Sequence, residues 1–202
     1  FHGVSSHAAG SPWNGRSALD GVEAMNAMVN MMREHVPQES RIHYVITSGG
    51  SAPNVVPDFA EVYYYVRNPS HEVVADLFAR VVRAAEGAAM GTGTTVDYEV
   101  IHGIYALVPN VTLAETMHAN LTRVGGVEYD AVEMAFARGI RETLVNPTLP
   151  LESAAEVQPF KIRQPGGGST DVGDVSVVVP NTGLNAATWV PGTSAHSWQA
   201  VA

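Results

Sequence analysis

The chain has 202 residues, 46% hydrophobic and 15% charged, which sets an expectation of one or two folded domains with an ordinary core. Eleven Lys and Arg against 20 Asp and Glu leave a formal charge of −9, with no basic stripe to neutralise phosphates; the expectation is no nucleic-acid partner and no anionic membrane surface. Cysteine is absent, which excludes disulfides, thiolate-bound zinc and a thiol nucleophile.

No apolar run approaches the roughly 18–20 residues of a membrane span. The first residues, FHGVSSHAAG, carry neither Met nor a signal peptide, and the last, SWQAVA, show no obvious stop. The expectation is a piece of a larger enzyme with a cytoplasmic location.

In chain order, residues 1–8 fit a short strand, and SPWNGRSALDG a turn punctuated by Pro12, Asn14 and Gly15. Over 18–35, Leu19, Val22, Met25, Met28 and Met32 recur at helical spacing, a packed stripe in which Met fills gaps. Ile42, Tyr44 and Ile46 alternate in a strand over 41–48, and AEVYYYV over 60–66 is rich in strand formers. Asn68, Pro69 and Ser70 open a helix over 71–90, and 96–106 is a fourth strand. The order strand, helix, strand, strand, helix, strand is that of a ferredoxin-like split βαβ unit, an antiparallel four-stranded sheet under two helices.

From residue 107 the character changes. Residues 111–124 form a helix with Thr112 as a plausible N-cap and Gly125 as its stop, and 129–144 a second helix. PGGGSTDVGD is a glycine-rich loop; VSVVV at 175–179 suits a buried strand, and 184–189 another. The expected division is a domain over 1–106 and an incomplete one over 107–202.

Few residues stand out chemically. His7, in SSHAAG, reads either as a capping residue or as a functional imidazole with small neighbours that let a partner approach. Asn54, in SAPNVVPD, is either a turn residue or an amide for a ligand carbonyl. Arg67 closes the strand AEVYYYVR, as a solvated flank or as a fork for a carboxylate. Ser169 and Thr170 lie in a loop that lacks the lysine of a phosphate-binding motif. His196, in PGTSAHSW, is a candidate metal ligand, yet a catalytic zinc takes about three protein ligands and the chain has no H-E-x-x-H or H-x-H.

Together these pieces resemble one family. FHGVSSHAAGSPWNGRSALDGVEAM and SAPNVVPDFAEVYYYVRNPS resemble the lid, or dimerisation, domain of the two-metal amidohydrolases and metallopeptidases that include the aminoacylases and carboxypeptidase G. STDVGDVSVVVP and PGTSAHSW resemble the end of the catalytic domain in that family, and STDVGDVS with AATW is nearest to its aminobenzoyl-glutamate hydrolase branch. The resemblance implies a ferredoxin-like lid followed by the C-terminal part of a zinc-peptidase-like α/β catalytic domain. It implies hydrolysis of the amide bond of an N-acyl amino acid such as p-aminobenzoyl-glutamate, two divalent metal ions (zinc or manganese) per active site, and a homodimer formed through the lid. Carried over by position, His7 polarises the scissile carbonyl in the neighbouring subunit's site. Asn54 and Arg67 hold the substrate, Ser169 and Thr170 line its pocket, and His196 ligates metal. The other ligands and the carboxylate base of the family lie before the lid, so the chain alone is expected to be inactive. A different class of reading is a stand-alone dimerisation module that binds a small carboxylate without catalysis.

Overall fold

The computed structural model describes residues 1–162 and 168–202. The chain divides into two compact units: the first holds Phe1–Ala106 and the stretch ending at Thr170, the second begins at Leu107 and resumes at Asp171–Ala202.

In the first unit, helix α1 (Ala18–Met32) starts where the Ser17 hydroxyl accepts the Asp20 backbone N–H at 3.1 Å. Helix α2 (His71–Thr92) is capped by Ser70 and ends at Gly93, whose φ of 67° is the left-handed geometry that glycine adopts without strain. Strands β1 (Arg41–Ser48) and β2 (Glu61–Arg67) pair antiparallel, Ile42 opposite Val66 and Tyr44 opposite Tyr64. The core lies between the helices and one face of this hairpin. Val22, Met25 and Val29 of α1 and Val81, Ala85 and Ala88 of α2 are buried with Ile42 and Ala60, and Val62, Tyr64 and Val66 pack on them. Gly21 permits a close approach: a Cβ there would stand 2.5 Å from the Phe1 ring.

Among the described residues the sheet has two strands, where four were expected. The first segment makes isolated bridges instead of a ladder, His2 to Phe59 and Thr95, Val4 to Arg16, His7 to Val55. Its partner segment contains Pro57, which has no N–H to give to a ladder. No residue of the expected fourth strand, 96–106, joins a ladder; Thr95, just before it, bridges to His2. From there the chain leaves the sheet and its aromatics stack on α2, Tyr98 on Phe78 at 6.0 Å and Tyr105 on His71 at 4.8 Å.

The second unit is helical among its described residues. Helix α3 (Val111–Val124) is capped by Asn110, not Thr112, since the Asn110 side chain accepts the Leu113 N–H at 3.0 Å. Helix α4 (Ala131–Glu142) opens with a reciprocal capping box between Asp130 and Glu133. The two strands expected here are absent among the described residues, and with them the α/β character. Residues 172–176 form a short helix, α5 (Val172–Ser176), continued as a turn in which the Val178 and Val179 N–H groups bond to the Val175 carbonyl. These local bonds leave Val178 81% exposed instead of buried. Residues 184–188 have no regular structure.

The Tyr64 hydroxyl donates to the side-chain oxygen of Asn26, a buried residue of α1, and ties β2 to that helix. Burial, with Tyr44 adding to it, raises the Tyr64 pKa from its ordinary value of 10.0. A raised pKa favours the protonated fold, so this stabilisation is complete below pH 10 and is lost as pH climbs further. Tyr64→Phe is expected to destabilise the chain by about 1–3 kcal/mol at pH 7, because it leaves the Asn26 amide buried and unpaired. It is also expected to flatten the alkaline limb of stability in urea titrations above pH 10.

Candidate functional site

His7 lies at the end of the first segment, where the chain turns. Its carbonyl accepts the Ser11 N–H at 3.0 Å, and its ring Nδ1 accepts the backbone N–H groups of Ala9 at 3.2 Å and Gly10 at 2.9 Å. A ring nitrogen that accepts carries no proton, so the neutral imidazole has its hydrogen on Nε2. The small residues of HAAG make this possible: a Cβ at Gly10 would already stand 3.4 Å from Nδ1. The ring is exposed, and Nε2–H is a donor aimed away from its own turn.

Asn54 is brought beside His7, 47 positions earlier in the chain. His7 bridges to Val55, and the Ala8 N–H donates to the Asn54 carbonyl at 3.0 Å. A turn closed by the Val55 N–H on the Ala52 carbonyl at 3.1 Å presents the exposed Asn54 side chain. The amide and the imidazole donor thus belong to one corner of the first unit.

Arg67 is not at that corner. It is the last residue of β2, and its guanidinium lies over the Tyr65 ring at 5.0 Å. The His7–Asn54 corner lies beyond the other end of the same strand, since Ala60 bonds to Phe1 just before β2 begins. Between Glu61 and Arg67 the strand rises roughly 20 Å.

In the remaining part of the chain, Ser169 and Thr170 are exposed and outside regular structure, while Gly166 and Gly167 of their loop lie outside the described residues. His196 sits in an exposed turn with φ 62°, a left-handed conformation uncommon for a residue with a Cβ. Among the described residues no group of three His, Asp or Glu side chains is arranged to hold a metal ion. One histidine supplies one ligand, so the described residues do not by themselves fit a catalytic metal centre. Beside the His196 turn is an open cavity of about 360 Å³ lined by Trp189, Pro191 and Thr193. The Thr193 hydroxyl is buried without a hydrogen-bond partner among the described residues.

Two features escaped the sequence reading. The acceptor role of His7 Nδ1 depends on a turn geometry that the motif does not spell out. Arg41 stands directly opposite Arg67, and His43 opposite Tyr65, through a strand register that only pairing reveals.

Residues 1–92 match the peptidase dimerisation domain of the M20 peptidases. The chain as a whole is 37% identical to a subunit of the p-aminobenzoyl-glutamate hydrolase of Escherichia coli (strain K12), over 100% of this chain and 47% of that protein. It is 32% identical to the Xaa-Arg dipeptidase of Mus musculus, over 89% of this chain and 36% of that protein. Among solved structures, the aminobenzoyl-glutamate utilization protein from Klebsiella pneumoniae superposes with a TM-score of 0.52 at 25% identity, covering 63% of this chain and 32% of that one. The chain therefore spans about half or less of the length of these relatives, the first two of which are named as a hydrolase and a dipeptidase. Among the described residues no helix is long and apolar enough to cross a membrane.

The histidine geometry makes a direct prediction. Nitrogen-15 spectra of the chain above pH 8 are expected to show His7 as the Nε2–H tautomer; a predominant Nδ1–H form would contradict the geometry.

Proposed function

We propose that this chain supplies the dimerisation domain (residues 1–106) and a C-terminal segment of the catalytic domain (residues 107–202) of a metal-dependent amidohydrolase acting on N-acyl amino acids. The reference substrate is p-aminobenzoyl-glutamate, by similarity to the hydrolase that matches the whole chain. The observation that carries the reading is the His7 turn. A neutral imidazole whose Nδ1 is committed to two backbone N–H groups offers one fixed donor, Nε2–H.

Each residue then has a task. His7 Nε2–H donates to the scissile carbonyl oxygen and binds it more tightly as negative charge develops there. The Asn54 amide, one corner with His7, orients the acyl end of the substrate. Arg67 takes the free carboxylate of the amino acid through its fork of N–H donors. Ser169 and Thr170 line the same pocket. By the family resemblance His196 would be one ligand of a pair of divalent ions, zinc or manganese, which would supply water activation and polarisation of the amide; the other ligands and the base would come from outside the described residues.

The separation along β2 gives the reading its quaternary form. His7 and Arg67 lie at opposite ends of a strand about 20 Å long, more than one amide and its flanking groups can span. One substrate meets both only if they come from two copies, and a homodimer formed through the dimerisation domain brings them together. The location proposed for this enzyme is the cytoplasm.

Kinetics of the intact enzyme test these roles. Arg67→Ala is expected to raise KM for p-aminobenzoyl-glutamate at least about tenfold with kcat little changed, as removal of ground-state binding does. His7→Ala is expected to lower kcat by about 100-fold or more, the usual loss of one oxyanion donor. An unchanged KM in the first variant, or an unchanged kcat in the second, removes that residue from the site. The 202-residue chain alone, with zinc or manganese added, is expected to show no turnover; measurable hydrolysis would contradict the assignment of the base and the other ligands to residues beyond it.

A further inference from the structure

His7 is fixed in two separate ways. Its backbone is anchored on both sides by the segment opposite: the Ala8 N–H donates to the Asn54 carbonyl at 3.0 Å, and the Val56 N–H donates to the Ser6 carbonyl at 2.9 Å. Its ring is held by the curl of residues 8–10, which brings the Ala9 and Gly10 N–H groups onto Nδ1. Among the described residues those two N–H groups bond to nothing else, and both contacts are exposed, where water competes for them. The direction of the Nε2–H donor therefore depends on how firmly the loop over 7–11 is closed.

Two bonds close it. One is the Ser11 N–H on the His7 carbonyl at 3.0 Å. The other comes from a side chain: the Ser6 hydroxyl donates to the Ser11 carbonyl at 2.5 Å, across the base of the loop. Ser6 is half-buried, and Gly15 packs closely over it. Gly15 has φ −88°, open to any residue, yet a Cβ there would stand 3.2 Å from the Ser6 Cβ and 3.0 Å from the Val56 side chain. The preceding serine differs. Ser5 is exposed, and its hydroxyl bonds to the Val56 carbonyl at 3.1 Å, away from the loop.

We infer that Ser6 is a positioning residue for the proposed hydrolysis. It touches no substrate; its hydroxyl holds the 7–11 loop shut, so that the imidazole keeps one orientation, Nδ1 inward and Nε2–H outward. The inference rests on the proposed role of His7 and adds the residue that preorganises it. Loss of the hydroxyl frees the ring but not the backbone, which the Asn54 and Val56 bonds still hold. It also strands no acceptor, because the Ser11 carbonyl keeps the Asn14 N–H at 3.1 Å. The effect then falls on the step that needs a directed donor, not on folding or on substrate binding.

Three variants test it. Ser6→Ala removes the hydroxyl, Ser6→Cys keeps its size but offers only a weak donor, and Ser5→Ala removes the neighbouring hydroxyl as a control. Amide exchange followed by nuclear magnetic resonance in the 202-residue chain is read first. Ser6→Ala and Ser6→Cys are expected to speed exchange of the Ala9 and Gly10 N–H groups at least about threefold with an unchanged thermal midpoint, and Ser5→Ala to leave it as it was. In the intact enzyme both Ser6 variants are expected to lower kcat about tenfold with KM for p-aminobenzoyl-glutamate little changed, while Ser5→Ala keeps kcat. Unchanged exchange or unchanged kcat in Ser6→Ala would overturn the inference. So would full activity in Ser6→Cys, which would assign Ser6 to packing, or an equal loss in Ser5→Ala, which would make the effect one of the whole segment. Faster exchange in the Ser6 variants together with an unchanged kcat in His7→Ala would instead overturn the hydrolase role of His7 and leave the hold of Ser6 on the loop standing.

Discussion

The register of β1 on β2 governs the first unit. With Ile42 opposite Val66 and Tyr44 opposite Tyr64, the side chains of Ile42, Val62, Tyr64 and Val66 pack on the helix core, while Arg41, His43 and Tyr65 are exposed. A slip of β1 by one residue would turn Arg41 toward the core and put Ile42 outside, and a slip of β2 would do the same with Arg67 and Tyr64. Tyr64 helps to forbid that slip, because its hydroxyl finds Asn26 only from the inner face. The pairing that buries the aliphatic face is thus also the pairing that sets Arg41 and Arg67 side by side.

The same strand also separates the parts of the site. It holds Arg67 at its end, while the segment that runs into its beginning carries Asn54 and lies beside His7. A rigid strand cannot bend to bring both groups to one bond, which is why the proposed site takes them from two copies. Both groups lie within residues 1–92, the stretch that matches a peptidase dimerisation domain.

Much of this architecture was legible in the sequence, for identifiable reasons. The alternation of Ile42, Tyr44 and Ile46 marked β1, and the spacing of Leu19, Val22 and Met25 marked part of the buried face of α1, which Val29 completes while Met28, expected in the same stripe, is exposed. What failed was non-local. Residues 96–106 carry strand formers, but whether a strand former finds a ladder is decided by partners far away, and here Tyr98 and Tyr105 find α2. The run VSVVV was too short to fix a period, and its backbone closed locally into α5 and a turn. At the site, His7, Asn54, Arg67, Ser169, Thr170 and His196 were singled out by motif. The nearness of His7 to Asn54 and the distance from both to Arg67 depend on pairing across some fifty residues, which no local pattern records.

The central claim is that one active site draws His7 from one copy and Arg67 from the other. Co-expressing the intact enzyme as His7→Ala and Arg67→Ala copies in equal amounts tests it directly. Half of the dimers are then mixed, and each mixed dimer holds one site with both residues intact. Activity is expected to return to about a quarter of the unmodified enzyme's, though each variant alone is nearly inactive at low substrate. No recovery in dimers shown to be mixed would mean that His7 and Arg67 act within one copy, which contradicts a site shared between two.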